Sequence, residues 1–455
     1  HAWDGGMNMV LGRRELLAGA ACAAASLPMT GAAAQVLPGP GFATPIGTSP
    51  FAPDVYRARR AQVMAQLKTG LAVIFGAEAP ASADNFIAAD FQQNGDFAWL
   101  TGIRDEPGAI LVLAPAEAAV QEWLLLPARD VEAERWDRER LPLGSLIEQR
   151  TGVQRVLRST ALGGLATSLA SRAKELHFLG PIVSANAPVP PALDLYGKIV
   201  ARVPGTSIRD QSGLMTALRT VKEPRELDMM RRSMAATRAG HLAAMRAVKP
   251  GMTERELGRV LEAGFAAAGG TGRAYGSIVG SGRNAASLHY VAQTATIKDG
   301  DLVLIDAAAA VDGYSCDVTR TFPANGRFTA EQRKQHDLVF AAQAAAAAKL
   351  KAGVMFQALE DAAKDVFRRA GAIDNFTHGL GHYVGLDVHD AFDRTKPIPA
   401  NAVITIEPGL YVQSANYGIR IEDQYLVTAT GSERMSAGIP HSAAEIEAYM
   451  RGAGK

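Results

Sequence analysis

One β-hairpin pattern constrains the fold of this chain more than any other feature. In residues 301–323, DLVLIDAAAAVDGYSCDVTRTFP, apolar runs flank an Asp-Gly pair at 312–313 that is typical of a two-residue turn. Counting outward from this turn places Asp306 and Asp317 on one face as diagonal cross-strand neighbours, with Cα atoms about 7–8 Å apart. Asp312 is interpreted as an ordinary solvent-facing turn residue. The pattern predicts two carboxylates in one small cavity of an otherwise apolar sheet.

A second pair of acidic residues follows the same logic. Residues 403–409, VITIEPG, are predicted to form a strand that ends at Glu407. Residues 417–428, YGIRIEDQYLVT, are predicted to form one further strand, with Arg420 and Glu422 on the same face. A salt bridge between Arg420 and a glutamate would explain this hairpin if it stood alone.

Four carboxylates in one apolar interior are costly unless cations accompany them. We therefore expect two divalent metal ions, with Mn²⁺ favoured by the oxygen-rich ligand set and Zn²⁺ or Co²⁺ as alternatives. Two ions bridged by carboxylates and a water molecule form a hydrolytic device.

The stretch THGLGHYVGLDVHD, residues 377–390, holds three of the nine histidines. His378 and His382 are four residues apart, but the intervening glycines disfavour a helix, and the HExxH pattern of zinc proteases is absent. The glycines favour a tight turn with individually placed imidazoles. For any single histidine, ordinary loop or core hydrogen bonding is the alternative.

Composition restricts the class of protein. A chain of 455 residues with 48% hydrophobic residues, 20% charged residues and a net charge of +1 is typical of a soluble two-domain protein, not of a nucleic-acid-binding one. Helices and strands alternate over 55–211, which predicts an α/β domain. Helices and hairpins over 212–450 predict an α+β domain with an antiparallel sheet. The two cysteines are too few for a disulfide framework.

The N-terminal segment has the pattern of an export signal. Arg13 and Arg14 precede an alanine-rich apolar run and a small-residue cleavage site, as in a twin-arginine signal. The run is too short for stable membrane insertion. We predict a signal peptide at 1–34, a linker at 35–54, and a periplasmic or exported protein, cytoplasmic if the signal is not used. An unprocessed alanine-rich helix is the alternative.

Five blocks occur in the order that is found in the pita-bread dinuclear metallopeptidases, the family of methionine aminopeptidase, prolidase and Xaa-Pro aminopeptidase. The blocks are IVGSGRNAASLHY, LIDAAAAVDGYSCDVTRTFP, HGLGHYVGLDVHD, TIEPGLYV and GIRIEDQYLVT. In addition, 91–115 and 124–144 resemble the N-terminal domain of aminopeptidase P. The resemblance implies an α+β fold in which an α/β domain precedes a pita-bread catalytic domain with an antiparallel sheet and flanking helices.

The resemblance also implies roles for individual residues. It gives five metal ligands: Asp306, Asp317, His382, Glu407 and Glu422. Asp317 and Glu422 would bridge the two ions, and Glu407 would help to deprotonate the bridging water. Four more residues would act around the metals: His289 would line the substrate site, His389 would hydrogen-bond the scissile carbonyl, His378 would shape the proline-side pocket, and Arg420 would order the bridging glutamate.

The expected activity is release of the N-terminal residue from peptides with proline second, by a hydroxide that bridges two metals in a dimer or tetramer of this chain. Two departures from the family pattern exist. Ala308 stands where a glycine is usual, and the loop between Asp390 and Ile404 is shorter, which leaves peptide length preference open. The alternatives are an Xaa-Pro dipeptidase, as in prolidase, and a metal-free creatinase-like or binding homologue.

Overall fold

The computed structural model describes residues 49–78, 91–136 and 143–452. The predicted signal at 1–34 and most of the predicted linker lie outside these residues. No helix within the described ranges is both long enough and apolar enough to span a membrane.

The N-terminal part contains a six-stranded mixed sheet with the order β4-β3-β2-β1-β5-β6. Its strands are β1 Leu71–Phe75, β2 Ile110–Leu113, β3 Glu122–Leu126, β4 Arg155–Arg158, β5 Glu175–Phe178 and β6 Ser207–Asp210. Its helices are α1 Pro53–Leu67, α2 Gly95–Thr101, α3 Val131–Trp136, α4 Ser145–Thr151, α5 Leu162–Ala173 and α6 Pro191–Val200. The central strands are continuous apolar runs because both faces of the sheet are covered by separate buried clusters. The predicted α/β alternation is confirmed.

The C-terminal part consists of helices around small antiparallel sheets, as predicted. The helices are α7 Ser212–Thr220, α8 Pro224–Ala247, α9 Glu254–Ala267, α10 Ala330–Ala347, α11 Phe356–Arg369 and α12 Ala443–Gly452. The strands are β7 Gly272–Arg273, β8 Ile278–Ser281, β9 Leu302–Asp306, β10 Ala309–Val311, β11 Tyr314–Ser315, β12 Thr319–Pro323, β13 Val403–Ile406, β14 Gly409–Val412, β15 Tyr417–Arg420, β16 Asp423–Val427 and β17 Ser432–Arg434. The domain boundary between 211 and 212 remains a prediction.

The hairpin register that was predicted from the Asp-Gly turn is confirmed. Val311 pairs with Tyr314 and Thr319 pairs with Asp306, so Asp317 lies diagonally across from Asp306. The ladder is interrupted between these pairs, and Asp317 lies in the interruption. Asp312 differs from the expectation, because its carboxylate accepts an ion-pair contact from Arg104 at 3.3 Å.

The prediction of one continuous strand over 417–428 is wrong. β15 pairs with β14, whereas β16 pairs with β13 and β17. Between them the chain crosses from one sheet to another, and the Glu422 backbone N–H donates to the Thr319 carbonyl at 3.1 Å. Glu422 therefore lies at a crossing point between sheets, and its side chain is buried.

The histidine stretch is not helical, as its glycines predicted. It runs beside β13, where the Thr405 N–H donates to the His382 carbonyl at 2.8 Å and the Glu407 N–H donates to the Leu380 carbonyl at 2.9 Å. Gly381 permits this approach, since a Cβ there would lie 2.3 Å from the Thr405 carbonyl oxygen. The pairing places His382 and Glu407 side by side.

Candidate metal centre and active site

The two hairpin aspartates share one phenol group. The Tyr275 hydroxyl lies within hydrogen-bond distance of Oδ1 of both Asp306 and Asp317, at 2.5 Å from the former. The other oxygen of Asp306 accepts from Arg420 Nη2 at 2.5 Å. The Asp317 backbone N–H donates to Gln424 Oε1 at 3.0 Å, which fixes the interrupted segment.

The remaining predicted ligands lie around the same cavity. His382 Nε2 is 3.3 Å from Asp317 Oδ2 and 3.5 Å from Glu407 Oε1. One ligand atom from each of Asp317, His382 and Glu422 lies within 4.8 Å of the other two. The two hairpins and the histidine stretch thus bring the predicted ligands together, although they are far apart in sequence.

The site brings four carboxyl groups close to a single arginine, Arg420. Burial raises the pKa of Asp317, Glu407 and Glu422 well above the usual range, and neighbouring carboxylates raise it further. Arg420 lowers the pKa of each, but less than burial and mutual repulsion raise it. A divalent cation would compensate this excess.

The donor set fits a divalent metal ion. Glu422 Oε2 accepts from Thr319 Oγ1 at 2.6 Å, but its Oε1 is buried without a hydrogen-bond partner. Such an atom carries a desolvation cost that an ion would remove. His382 Nδ1 lies 3.1 Å from the Tyr383 carbonyl, which can only accept, so Nδ1 is inferred to carry the proton. Its Nε2 lone pair then faces Asp317 and Glu407, as a metal ligand requires.

The other three histidines surround this cavity. His378 Nε2 lies 2.8 Å from the Tyr411 hydroxyl, and burial, followed by the charge of Arg420, lowers the pKa of His378 to about 4. The His389 ring lies 4.0 Å from the His382 ring between centroids, and partial desolvation of the imidazole, followed by the charge of His382, lowers its pKa. The exposed His289 is close enough to interact electrostatically with His378 and His389.

Arg420 lies beside Asp306 and is linked to Glu422 by one hydroxyl group. Its guanidinium forms an ion pair with Asp306, while its Nε donates to Thr319 Oγ1 at 3.1 Å. The Thr319 hydroxyl in turn donates to Glu422. In this structure Arg420 therefore reaches the proposed bridging glutamate through Thr319.

Sequence reasoning missed three hydroxyl groups of this site: Tyr275, Thr319 and Tyr411. Thr319 could have been found, since it lies two residues after Asp317 on a strand and so shares its face. Tyr275 and Tyr411 come from segments whose local patterns do not indicate a role, and only the tertiary structure brings them to the site.

Comparison with known proteins agrees with this geometry. Residues 228–429 match metallopeptidase family M24, and residues 56–177 match the aminopeptidase P N-terminal domain. The chain is 33% identical to Xaa-Pro aminopeptidase of Escherichia coli over 88% of this chain and 98% of that protein. Its identity to Xaa-Pro aminopeptidase of Haemophilus influenzae is 30%, over 87% of this chain and 97% of that protein.

A solved structure gives the same result at the level of the fold. Zinc-substituted E. coli aminopeptidase P in complex with product matches with a TM-score of 0.80 and 29% identity, over 89% of this chain and 99% of that one. The match spans both the N-terminal and the C-terminal parts. The chain therefore belongs to metallopeptidase family M24, in the group of the aminopeptidases P.

Proposed function

We propose that this chain is a metal-dependent exopeptidase that releases the N-terminal residue from peptides with proline in the second position. The observation that carries the proposal is the buried, under-compensated carboxylate cavity, in which Glu422 Oε1 has no hydrogen-bond partner. The relatives of similar length bear the name Xaa-Pro aminopeptidase.

Two divalent ions, preferably Mn²⁺, would be held by five residues: Asp306, Asp317, His382, Glu407 and Glu422. When bound, such ions polarise the scissile carbonyl and make a water molecule acidic enough to attack at neutral pH. Asp317 and Glu422 are proposed as the shared ligands on the resemblance to the family, and a carboxylate oxygen of each lies within 4.8 Å of the other and of a His382 ring nitrogen. Zn²⁺ and Co²⁺ are the alternatives to be compared in the same assay.

Glu407 is proposed to accept the proton of the attacking water and to deliver it to the departing proline nitrogen. Its Oε1 lies 3.5 Å from His382 Nε2, so the carboxylate lies at the ligand cluster itself. This placement is what a general base needs, because a base must lie within hydrogen-bond reach of the proton that it removes.

His389 is proposed to donate a hydrogen bond to the oxygen that develops negative charge. Its ring packs against that of the proposed ligand His382, and the residue is exposed, so a bound peptide has access to it. The lowered pKa keeps this imidazole neutral near pH 7, so one ring nitrogen donates and the other accepts. His289 is proposed to line the substrate site beside it.

The proline ring of the substrate is proposed to pack near His378 and Tyr383. The Tyr411 hydroxyl holds the His378 ring, and Tyr383 stacks on Phe392 with ring centroids 4.8 Å apart. Proline lacks an N–H group, so an apolar surface with few hydrogen-bond acceptors suits it.

Hydrolysis of three matched peptides tests this function. After reconstitution with Mn²⁺, the protein should cleave Ala-Pro-Ala after the first residue and leave Ala-Ala-Ala intact, with products identified by mass spectrometry. Cleavage of Ala-Pro with no turnover of any longer peptide would instead favour a dipeptidase. Absence of cleavage of all proline peptides would refute the proposal.

We also propose export through the twin-arginine signal at 1–34 and assembly into a homo-oligomer, either a dimer or a tetramer. N-terminal sequencing of periplasmic protein should find a start near residue 35, and replacement of Arg13 and Arg14 by lysine should retain the protein in the cytoplasm. Sedimentation of the purified protein measures the oligomeric state, and a monomer would contradict the assembly.

A further inference from the structure

A buried arginine outside the ligand set joins three carboxylates. Arg219, in α7, is buried; its Nη1 donates to Asp96 Oδ1 at 2.7 Å. Its Nη2 donates to Asp387 Oδ2 at 2.7 Å and to Asp390 Oδ1 at 2.5 Å. Two of these carboxylates belong to the histidine stretch, and Asp96 belongs to α2 of the N-terminal part. We call these four residues the Arg219 cluster.

Both carboxylate oxygens of Asp390 accept hydrogen bonds from further groups. Its Oδ2 accepts from the buried Lys222 Nζ at 2.8 Å, and its Oδ1 also accepts from the Ala391 N–H at 2.9 Å. Lys222 Nζ also donates to the Arg219 carbonyl at 2.6 Å. Gly385 makes room for this arrangement, since a Cβ there would lie 2.0 Å from Asp390 Oδ2. The conformation of the segment around Asp390 is therefore fixed by buried groups.

In the sequence, His389 lies between Asp387 and Asp390, two of the three aspartates that Arg219 contacts. Its side chain is exposed, and its ring packs against that of His382. The Asp390 N–H donates to the Tyr383 carbonyl at 2.8 Å, which ties the residue after His389 to the residue after His382. The contacts of Arg219 with the partly exposed Asp387 and the buried Asp390 therefore restrain the backbone on either side of His389, while the His382 ring packs against the imidazole itself.

We propose that Arg219 is a positioning residue for His389, and that Asp96 extends this positioning to the N-terminal part. The inference rests on the proposed function in that His389 acts on the scissile carbonyl. A guanidinium presents donors in a rigid fork, so one arginine can hold Asp96, Asp387 and Asp390 at once. A lysine keeps the charge but lacks the fork. Arg219→Lys therefore removes geometry and retains charge.

A double-mutant cycle with His389→Ala tests the inference. Arg219→Lys should lower kcat/KM for Ala-Pro-Ala by about tenfold, mainly through kcat, with metal content unchanged. In the His389→Ala background the same substitution should cost less than about twofold, because the group that it positions is gone. Asp96→Asn, which removes the N-terminal contact alone, should show the same dependence with a smaller loss. Arg172→Lys, in an exposed ion pair with Glu117, is the control without effect in either background.

A measurement without turnover separates this inference from the proposed function. In protein with ¹³C-labelled histidine, Arg219→Lys should move the ring signal of His389 and leave that of His441 in place. If the His389 signal moves but the protein cleaves no proline peptide, the positioning role is supported and only the proposed function is refuted. An unmoved His389 signal, or equal losses of kcat/KM in both backgrounds of the cycle, would overturn the positioning role.

Discussion

Two neighbouring carboxylates, Glu422 and Asp423, are both fully buried, but they differ in their hydrogen-bond partners and in the direction of their pKa shifts. Asp423 accepts from Arg320 Nη2 at 2.6 Å, from Ser436 Oγ at 2.5 Å and from Gln343 Nε2 at 3.0 Å. Burial alone would raise the pKa of Asp423, but Arg320 and its other partners lower it below the usual value. Glu422 has one hydroxyl partner and a pKa raised well above the usual range by burial, Asp317 and Asp306.

The difference shows how this fold separates stability from function. The positive charge of Arg320 and the donors of Ser436 and Gln343 satisfy Asp423. This residue therefore links strand β16 to the segments that carry them. The protein leaves Glu422 Oε1 without a hydrogen-bond partner, and burial raises the pKa of Asp317 and Glu407 as it raises that of Glu422. Burial is the same, and the balance of local charge distinguishes a structural carboxylate from one that is suited to a metal ion.

The largest expected effect comes from removing one ionisable carboxyl group from the proposed metal site that contains Glu422. Asp317→Asn should lower turnover of Ala-Pro-Ala more than about 10,000-fold, since the variant loses a proposed shared ligand. The metal-free variant should unfold at the same urea concentration as the wild type or higher, because repulsion in the cavity decreases. Asp365→Asn, at an exposed ion pair with Arg368, is the control. Retained turnover in Asp317→Asn would refute the ligand assignment.

Changes around Asp423 should instead lower the stability of the fold. Arg320→Gln leaves Asp423 buried without its main cation and should lower the free energy of unfolding by about 3–5 kcal/mol. Urea unfolding of the metal-free protein measures this loss, and Arg368→Gln at the surface should change it by less than about 1 kcal/mol. A loss for Arg320→Gln as small as that of the surface variant would show that the pair is not structural.

Loss of the Thr319 hydroxyl, which links Arg420 to Glu422, should have an intermediate effect. Thr319→Val removes the contact between Arg420 and Glu422, and should reduce Mn²⁺ affinity or kcat/KM by about 10–100-fold. Thr319→Ser keeps the hydroxyl and should restore most of the loss. Wild-type Mn²⁺ affinity and kcat/KM in Thr319→Val would contradict the role of the hydroxyl, and an equal loss in Thr319→Ser would show that the hydroxyl alone does not carry the effect.

A last effect is expected on the pH dependence of metal-free stability. The pKa values of Glu422, Asp317 and Glu407 are higher in the folded protein than in the unfolded one. Their contribution is therefore fully present below the unfolded pKa of about 4 and is lost as pH rises through the folded pKa, by at most about 1.4 kcal/mol per pH unit for each group. Urea midpoints should fall between pH 5 and pH 8 without metal. Asp317→Asn should flatten this trend, and an unchanged slope would contradict it.

The sequence was sufficient for the local parts of this site and insufficient for the long-range ones. The Asp-Gly turn determines the register of its hairpin, so the relation of Asp306 to Asp317 followed from counting. Glycine content correctly excluded a helix around His382. The break at Glu422 could not be predicted, because alternation over 417–428 is equally compatible with one strand or with two in different sheets.

Contacts across the fold were also beyond sequence reasoning. The contact of Arg420 with Asp306 and the approach of Tyr275 to both aspartates join segments that have no common local pattern. The same holds for the Arg219 cluster, whose members come from three separate segments. These contacts depend on how the sheets pack, and the side-chain periodicity of a single strand does not encode them.

Metal stoichiometry tests the central claim most directly. Wild-type protein that has been stripped of metal, reconstituted with Mn²⁺ and freed of excess ions should hold about two ions per chain by elemental analysis, and Asp317→Asn should hold fewer. Less than one ion per wild-type chain would contradict the conclusion that the under-compensated carboxylates form a two-metal site.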